Sequence, residues 1–116
     1  MKQLRNHLIG VDQGDLIPFS DFEHDGLMWT GQGARQSRGR VRFSQPFHAA
    51  PTVHLSLSMW DMSNTTNARV DLQAEDVGTE GFDILFRTWG DTRVARVRVS
   101  WLAIGELAHD DDWMLD

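Results

Sequence analysis

The sequence predicts an all-β sandwich or barrel. Two observations carry that expectation. Apolar residues recur with a period of two over most of the chain, with no period of 3.6 kept for three helical turns. Clusters of Gly, Asn, Asp, Ser and Pro interrupt the alternation at short intervals. A chain of 116 residues, 41% hydrophobic and 24% charged, has the size and composition of one globular domain. No run approaches the ~20 apolar residues of a membrane-spanning helix, so no membrane insertion is expected.

In chain order, strands are expected at His7–Val11, Leu16–Phe19, Gly39–Ser44, Thr52–Met59, Ala68–Ala74, Phe82–Thr88 and Ala95–Ile104. Turn signals separate them at Asp12-Gln13-Gly14, His24-Asp25-Gly26, Gly31-Gln32-Gly33, Gln45-Pro46, 63–67, 77–80 and Gly90-Asp91-Thr92. Residues 1–38 read as an N-terminal strand and loop segment packing on the sandwich, 39–106 as the sandwich itself, and 107–116 as a solvated acidic tail. The N-terminus has basic residues but no unbroken apolar stretch and no small-residue cleavage site, so no Sec-type signal peptide is expected and the compartment stays open.

Composition excludes several classes of function. Without cysteine there is no disulfide scaffold, thiolate metal site or cysteine nucleophile. A net charge of −6 argues against binding nucleic acid through phosphate contacts. Ten of the eleven basic residues are arginine, grouped at Arg35, Arg38, Arg40, Arg42 and at Arg93, Arg96, Arg98. These groups read as the solvated faces of two strands whose inward sets are Val41 with Phe43 and Val97 with Val99. No phosphate-binding glycine loop, G-x-S-x-G or H-E-x-x-H is present, so the chain does not read as an enzyme. Asp61 and Asp91 adjoin turns, where Asp often bonds local backbone. His24, His48, His54 and His109 lack metal-ligand spacing, so neither a metal nor a cofactor is expected.

The two tryptophans near the C-terminal strands differ. Trp101 keeps step with Val97, Val99 and Ala103 and is expected in the core, whereas Trp89 falls on the outward face with Asp83 and Arg87. If Val77 opposes Gly81 across the loop at 78–80, paired positions sum to 158; Leu72 then meets Phe86, Ala74 meets Ile84, and Arg69 stands opposite Trp89. An exposed indole beside a guanidinium fork suits a galactose-type ring, whose C–H patch packs on the aromatic surface while its hydroxyls take charge-assisted hydrogen bonds. Gly90 permits close approach to the backbone, and Asp91 can accept from a hydroxyl. The other reading is that Trp89 closes the end of the sandwich under the stem of Arg69.

The order of short pieces from Arg40 to Glu106 resembles the H-type lectin domain of snail agglutinins and of the C-terminal domain of discoidins. Those pieces are Val41-Arg42-Phe43, Pro46-Phe47, Pro51-Thr52-Val53, Leu55-Ser56-Leu57, Asp61, Asn67-Ala68-Arg69-Val70, Gly81-Phe82, Thr88-Trp89, Thr92 and Ser100-Trp101-Leu102-Ala103-Ile104. The resemblance implies a six-stranded antiparallel β-sandwich that forms a homotrimer and binds terminal galactose or N-acetylgalactosamine between protomers, the activity of a cell-adhesion lectin. It places sugar-binding roles on Arg69, Trp89 and Gly90, with Asp91 adjoining. Gly90 stands where the family has histidine, and Ala95 where snail agglutinins have tyrosine. In the loop Gly31–Arg35, expected to complete the site across the protomer interface, Gln32 with Gly33 is nearest to the family's acidic contact. Outward apolar residues such as Leu85 and Leu102 fit burial in a trimer. The alternative function is a trimerising structural module of a larger particle, such as a phage tail or secretion assembly, without sugar binding.

Overall fold

A computed structural model describes residues 1–19 and 26–108. The acidic run of the expected tail and the His24-Asp25 part of one turn signal lie outside the described residues. Among the described residues, six strands form two antiparallel three-stranded sheets, as expected. The strands are β1 (Ile9–Leu16), β2 (Arg35–Arg42), β3 (Thr52–Met62), β4 (Asp71–Glu75), β5 (Gly81–Thr88) and β6 (Val94–Glu106), with one helical turn, α1 (Leu27–Thr30), between β1 and β2. One sheet runs β1-β6-β3 and the other β2-β5-β4. Each is centred on a strand whose alternation is strongest in apolar residues.

The core lies between the sheets. On β5, Phe82, Ile84 and Phe86 are fully buried; on β6, Val94, Val97, Val99 and Ala103 are too. Burying each of the larger side chains contributes about 1.5–3 kcal/mol. Phe82 and Phe43 pack with Trp101 at ring separations of 5.6 and 6.0 Å, so Trp101 faces inward as its parity predicts and packs, partly buried, against the core. A second cluster of Met28, Phe86, Val94 and Val97 underlies the end of the sandwich where β5 leads into β6. There α1 contributes its buried residue, Met28.

Three expectations are corrected. Asp12-Gln13-Gly14 is no turn: β1 runs straight through it, Asp12 accepting from the Ser44 N–H at 2.8 Å and Gly14 lying under Trp101, where a Cβ would sit 2.9 Å from the indole. Asp and Gly serve tertiary contacts there, so their turn propensity is overridden. No strand forms over Leu16–Phe19, because β1 ends at Leu16. Leu85 has the outward parity but is only 3% exposed. It lies mid-strand between Arg38 and Gln73 on the flanking strands, and Arg38 bonds both Asp83 and Glu75, so charged side chains roof it.

Candidate functional site

The β4–β5 hairpin has the expected register. Asp71 pairs with Arg87, Leu72 with Phe86 and Ala74 with Ile84. The ladder stops at Asp71 because the preceding segment is held by two buried hydroxyls instead. Thr88 Oγ1 donates to the Arg69 carbonyl at 2.5 Å, and Thr92 Oγ1 donates to the Asn67 carbonyl at 2.5 Å while accepting from the Arg69 N–H at 3.2 Å. Thr88 is 1% exposed and Thr92 fully buried, so both ends of this clamp are anchored in the core.

The clamp sets the direction of Arg69. Its Nη1 bonds Asp91 Oδ1 at 2.7 Å, and Asn67 Nδ2 reaches the same oxygen at 3.4 Å. The guanidinium lies over Gly90, where a Cβ would come within 3.1 Å of Arg69 Nη1. Gly90 is also at φ +71°, a conformation that favours glycine. The Arg69 guanidinium thus bonds Asp91 and lies against Gly90, in a stretch beyond the end of the β4–β5 ladder; the chain turns at Gly90 and brings Asp91 into reach. The Arg69 bond, foremost, holds the Asp91 carboxyl below its usual range. Trp89, next to this corner, is 45% exposed.

The Gly31–Arg35 loop meets the corner within the same chain. The Gly33 N–H donates to the Gly90 carbonyl at 3.0 Å, with Gly33 at φ +77°. Arg35 groups by sequence with the solvated arginines, yet it is 5% exposed. Its Nε, Nη1 and Nη2 donate to the carbonyls of Gly33, Met28 and Gly90 at 3.0, 3.2 and 3.2 Å, tying α1, the loop and the Gly90 turn together. Gln32 is exposed on this loop. Sequence reading misses Arg35, Thr88 and Thr92 as positioning residues. The signal for Arg35 is its parity, since counting back by twos from Val41 passes through Ser37 to Arg35 and the inward face.

Beside Trp89 a hollow of about 330 Å³ opens at the same end of the β2-β5-β4 sheet, walled by Arg35, Gln36, Asp71, Arg87 and Trp89. Here Arg87 Nε and Nη2 both bond Asp71 Oδ2, at 3.0 and 2.5 Å. Among the described residues no three His, Asp or Glu side chains gather as metal ligands, and no helix is long and apolar enough to cross a membrane.

Residues 38–104 match the H-type lectin domain. A Fuscovulum blasticum protein, "ATP synthase subunits region ORF 7", is 53% identical over 108 residues, covering 93% of this chain and 94% of its own length. A discoidin-1 polypeptide of Dictyostelium discoideum is 33% identical over 75 residues, 64% of this chain and 30% of its own. Discoidin II of Dictyostelium discoideum has the same fold at a TM-score of 0.74 and 23% identity, over 86% of this chain and 38% of its own. The tailspike protein gp49 of Pseudomonas phage LKA1 follows at a TM-score of 0.52 and 14% identity, over 86% of this chain and 15% of its own. This chain therefore spans 30% to 38% of the length of the discoidins it matches. The match of more than half of the residues to the domain, carried on the two-sheet fold, shows that the chain belongs to the H-type lectin domain family.

Proposed function

We propose that the protein is a non-catalytic lectin that binds terminal galactose- or N-acetylgalactosamine-type glycans at Arg69, Trp89, Gly90 and Asp91, bordered by Gln32 and Gly33. The observation that carries this reading is the Arg69–Asp91 pair, 2.7 Å apart and seated on a glycine, beside an indole 45% exposed. An apolar surface, a donor fork and a carboxylate acceptor adjoin, and each suits one feature of a pyranose ring. A homotrimer gives the shallow site its strength. Val11 is 62% exposed, and the register sets it beside Ile104, with Leu102 next along β6. That apolar outer face suits burial against other protomers.

A single site should bind sugar at a Kd on the order of 1 mM, about −4 kcal/mol. Titration calorimetry with galactose and N-acetylgalactosamine tests this: saturable binding is expected, abolished by Trp89→Ala with the thermal transition retained. No binding of either sugar by folded protein overturns the reading. In that event the same apolar face supports the second one, a trimerising module of a larger assembly.

A further inference from the structure

The wall of the hollow beside Trp89 contains one whole rung of the β2-β5-β4 sheet. Gln36 pairs with Arg87 and Arg87 with Asp71, so the three stand abreast on the outward face. With neighbouring strands about 4.8 Å apart, the rung is about 10 Å across. The Arg87 and Asp71 side chains are 41% and 36% exposed, and Gln36 is exposed as well. Arg35 and Thr88, next along β2 and β5, have the inward parity and are buried. The side-chain polar groups that a ligand meets here are therefore those of the rung.

Their hydrogen bonds leave a mixed set of groups over. Arg87 donates from Nε and Nη2 to Asp71 Oδ2, so the two charges cancel; Arg87 Nη1 and Asp71 Oδ1 bond no other described residue. Nor does the Gln36 side chain, whose amide carries both donors and an acceptor. An anion could use only the donors, and a cation only the acceptors. A hydroxyl both donates and accepts, so a neutral polyol matches the rung, and the two ionised members make its hydrogen bonds charge-assisted. Trp89 adds an aromatic surface for C–H groups. The volume of about 330 Å³ lies at the small end of ligand pockets, which suits one ring.

We propose that this hollow is a second sugar subsite, holding one neutral hexose unit joined to the terminal ring at Arg69 and Trp89. The proposal rests on the lectin reading above and deepens it from a terminal sugar to a neutral disaccharide. Position links the two places. Arg69 precedes Asp71 by two residues and Trp89 follows Arg87 by two, about 6.5 Å along extended chain. They adjoin as successive rings of a glycan do, with Trp89 bordering both. The hollow opens on the sheet opposite the apolar face around Val11, so a trimer closed through that face leaves it accessible.

The test is calorimetric titration of the full chain with methyl galactoside and with lactose, melibiose and lacto-N-biose, neutral disaccharides that end in galactose. At least one should bind roughly five- to tenfold tighter than methyl galactoside, the scale of one net hydrogen bond. Saturation-transfer NMR on the same complex should reach protons of its second ring. Gln36→Ala combined with Arg87→Met removes the donors of the rung while keeping the Arg69 corner; it should bring that disaccharide down to the level of methyl galactoside, whose own affinity should not change. Methyl galactoside binding with no disaccharide gain, a gain that survives the paired substitution, or a second ring that saturation does not reach overturns the subsite alone. Folded protein that binds none of these sugars overturns the lectin reading, and this proposal with it.

Discussion

Gly90 does what a residue with a side chain would do only under strain. At φ +71° an L-residue in the left-handed region costs about 1–2 kcal/mol, and a Cβ there would sit 3.1 Å from Arg69 Nη1. Where the resemblance puts histidine, this chain lets the Arg69 guanidinium lie on the main chain and reach Asp91. The pair has a definite pH dependence. Because Arg69 depresses the Asp91 pKa in the folded protein, its stabilising contribution is complete above the ordinary carboxylate value of 3.8 and is lost as pH falls through the lowered folded value. Sugar affinity should therefore stay flat from pH 8 to about pH 5 and fall only in stronger acid; carboxyl NMR of Asp91 alongside a binding titration would check this, and a fall centred near pH 6 would contradict it. The register of the β4–β5 hairpin was legible because period-two spacing and one hairpin loop determine which residues share a rung, but the ladder ends at Asp71 and Arg87, one step short of Arg69 and Trp89 on the same face. Arg35 was masked by its neighbours. A run of four arginines looks solvated as a group, although alternation splits Arg35 from Arg38, Arg40 and Arg42, and its carbonyl partners come from three places that only the fold brings together: α1, the 31–35 loop and the Gly90 turn.

Among the elements, β5 carries the largest share of the core, and its inward residues were plain from the sequence because aromatic and β-branched side chains alternate with charged ones. Phe82 is fully buried between Phe43 and Trp101, so Phe82→Ala should cost about 3–5 kcal/mol in urea unfolding. Trp60, equally large but 64% exposed on the edge strand β3, should change stability by no more than about 0.5 kcal/mol when replaced by Ala in monomeric protein. A large loss at Trp60 would show that β3 is covered. Less legible were the boundaries of β1 and β2. β1 passes through an Asp and a Gly that read as a turn, because Ser44 and Trp101 lie far away in sequence and no local pattern announces them. β2 starts at Arg35, four residues before its expected first residue, Gly39, since its early inward positions are Arg35 and Ser37 rather than apolar residues. α1 is a single turn without a side-chain cap, too short to produce a period.

For the whole molecule, the proposed trimer predicts that affinity and valency separate. Val11→Lys charges the centre of the apolar outer face without touching the Arg69 corner, so sedimentation should show monomers. Their affinity for free galactose should be unchanged, while binding to a galactose-coated surface should drop by roughly 10²–10⁴. A trimer that survives the substitution would move the interface elsewhere. The longest strand sets one more property of the molecule. β6 starts three residues after Asp91 and ends at Glu106, where the Leu107 N–H bonds the Leu8 carbonyl and Glu106 accepts from the Arg5 N–H. Thirteen residues of strand, about 40 Å when extended, therefore separate the Trp89 corner from the place where the two ends of the sandwich chain run side by side. A fluorophore, tether or additional module joined near either of those ends would hang from the opposite pole, leaving the tryptophan tip pointing away from its carrier.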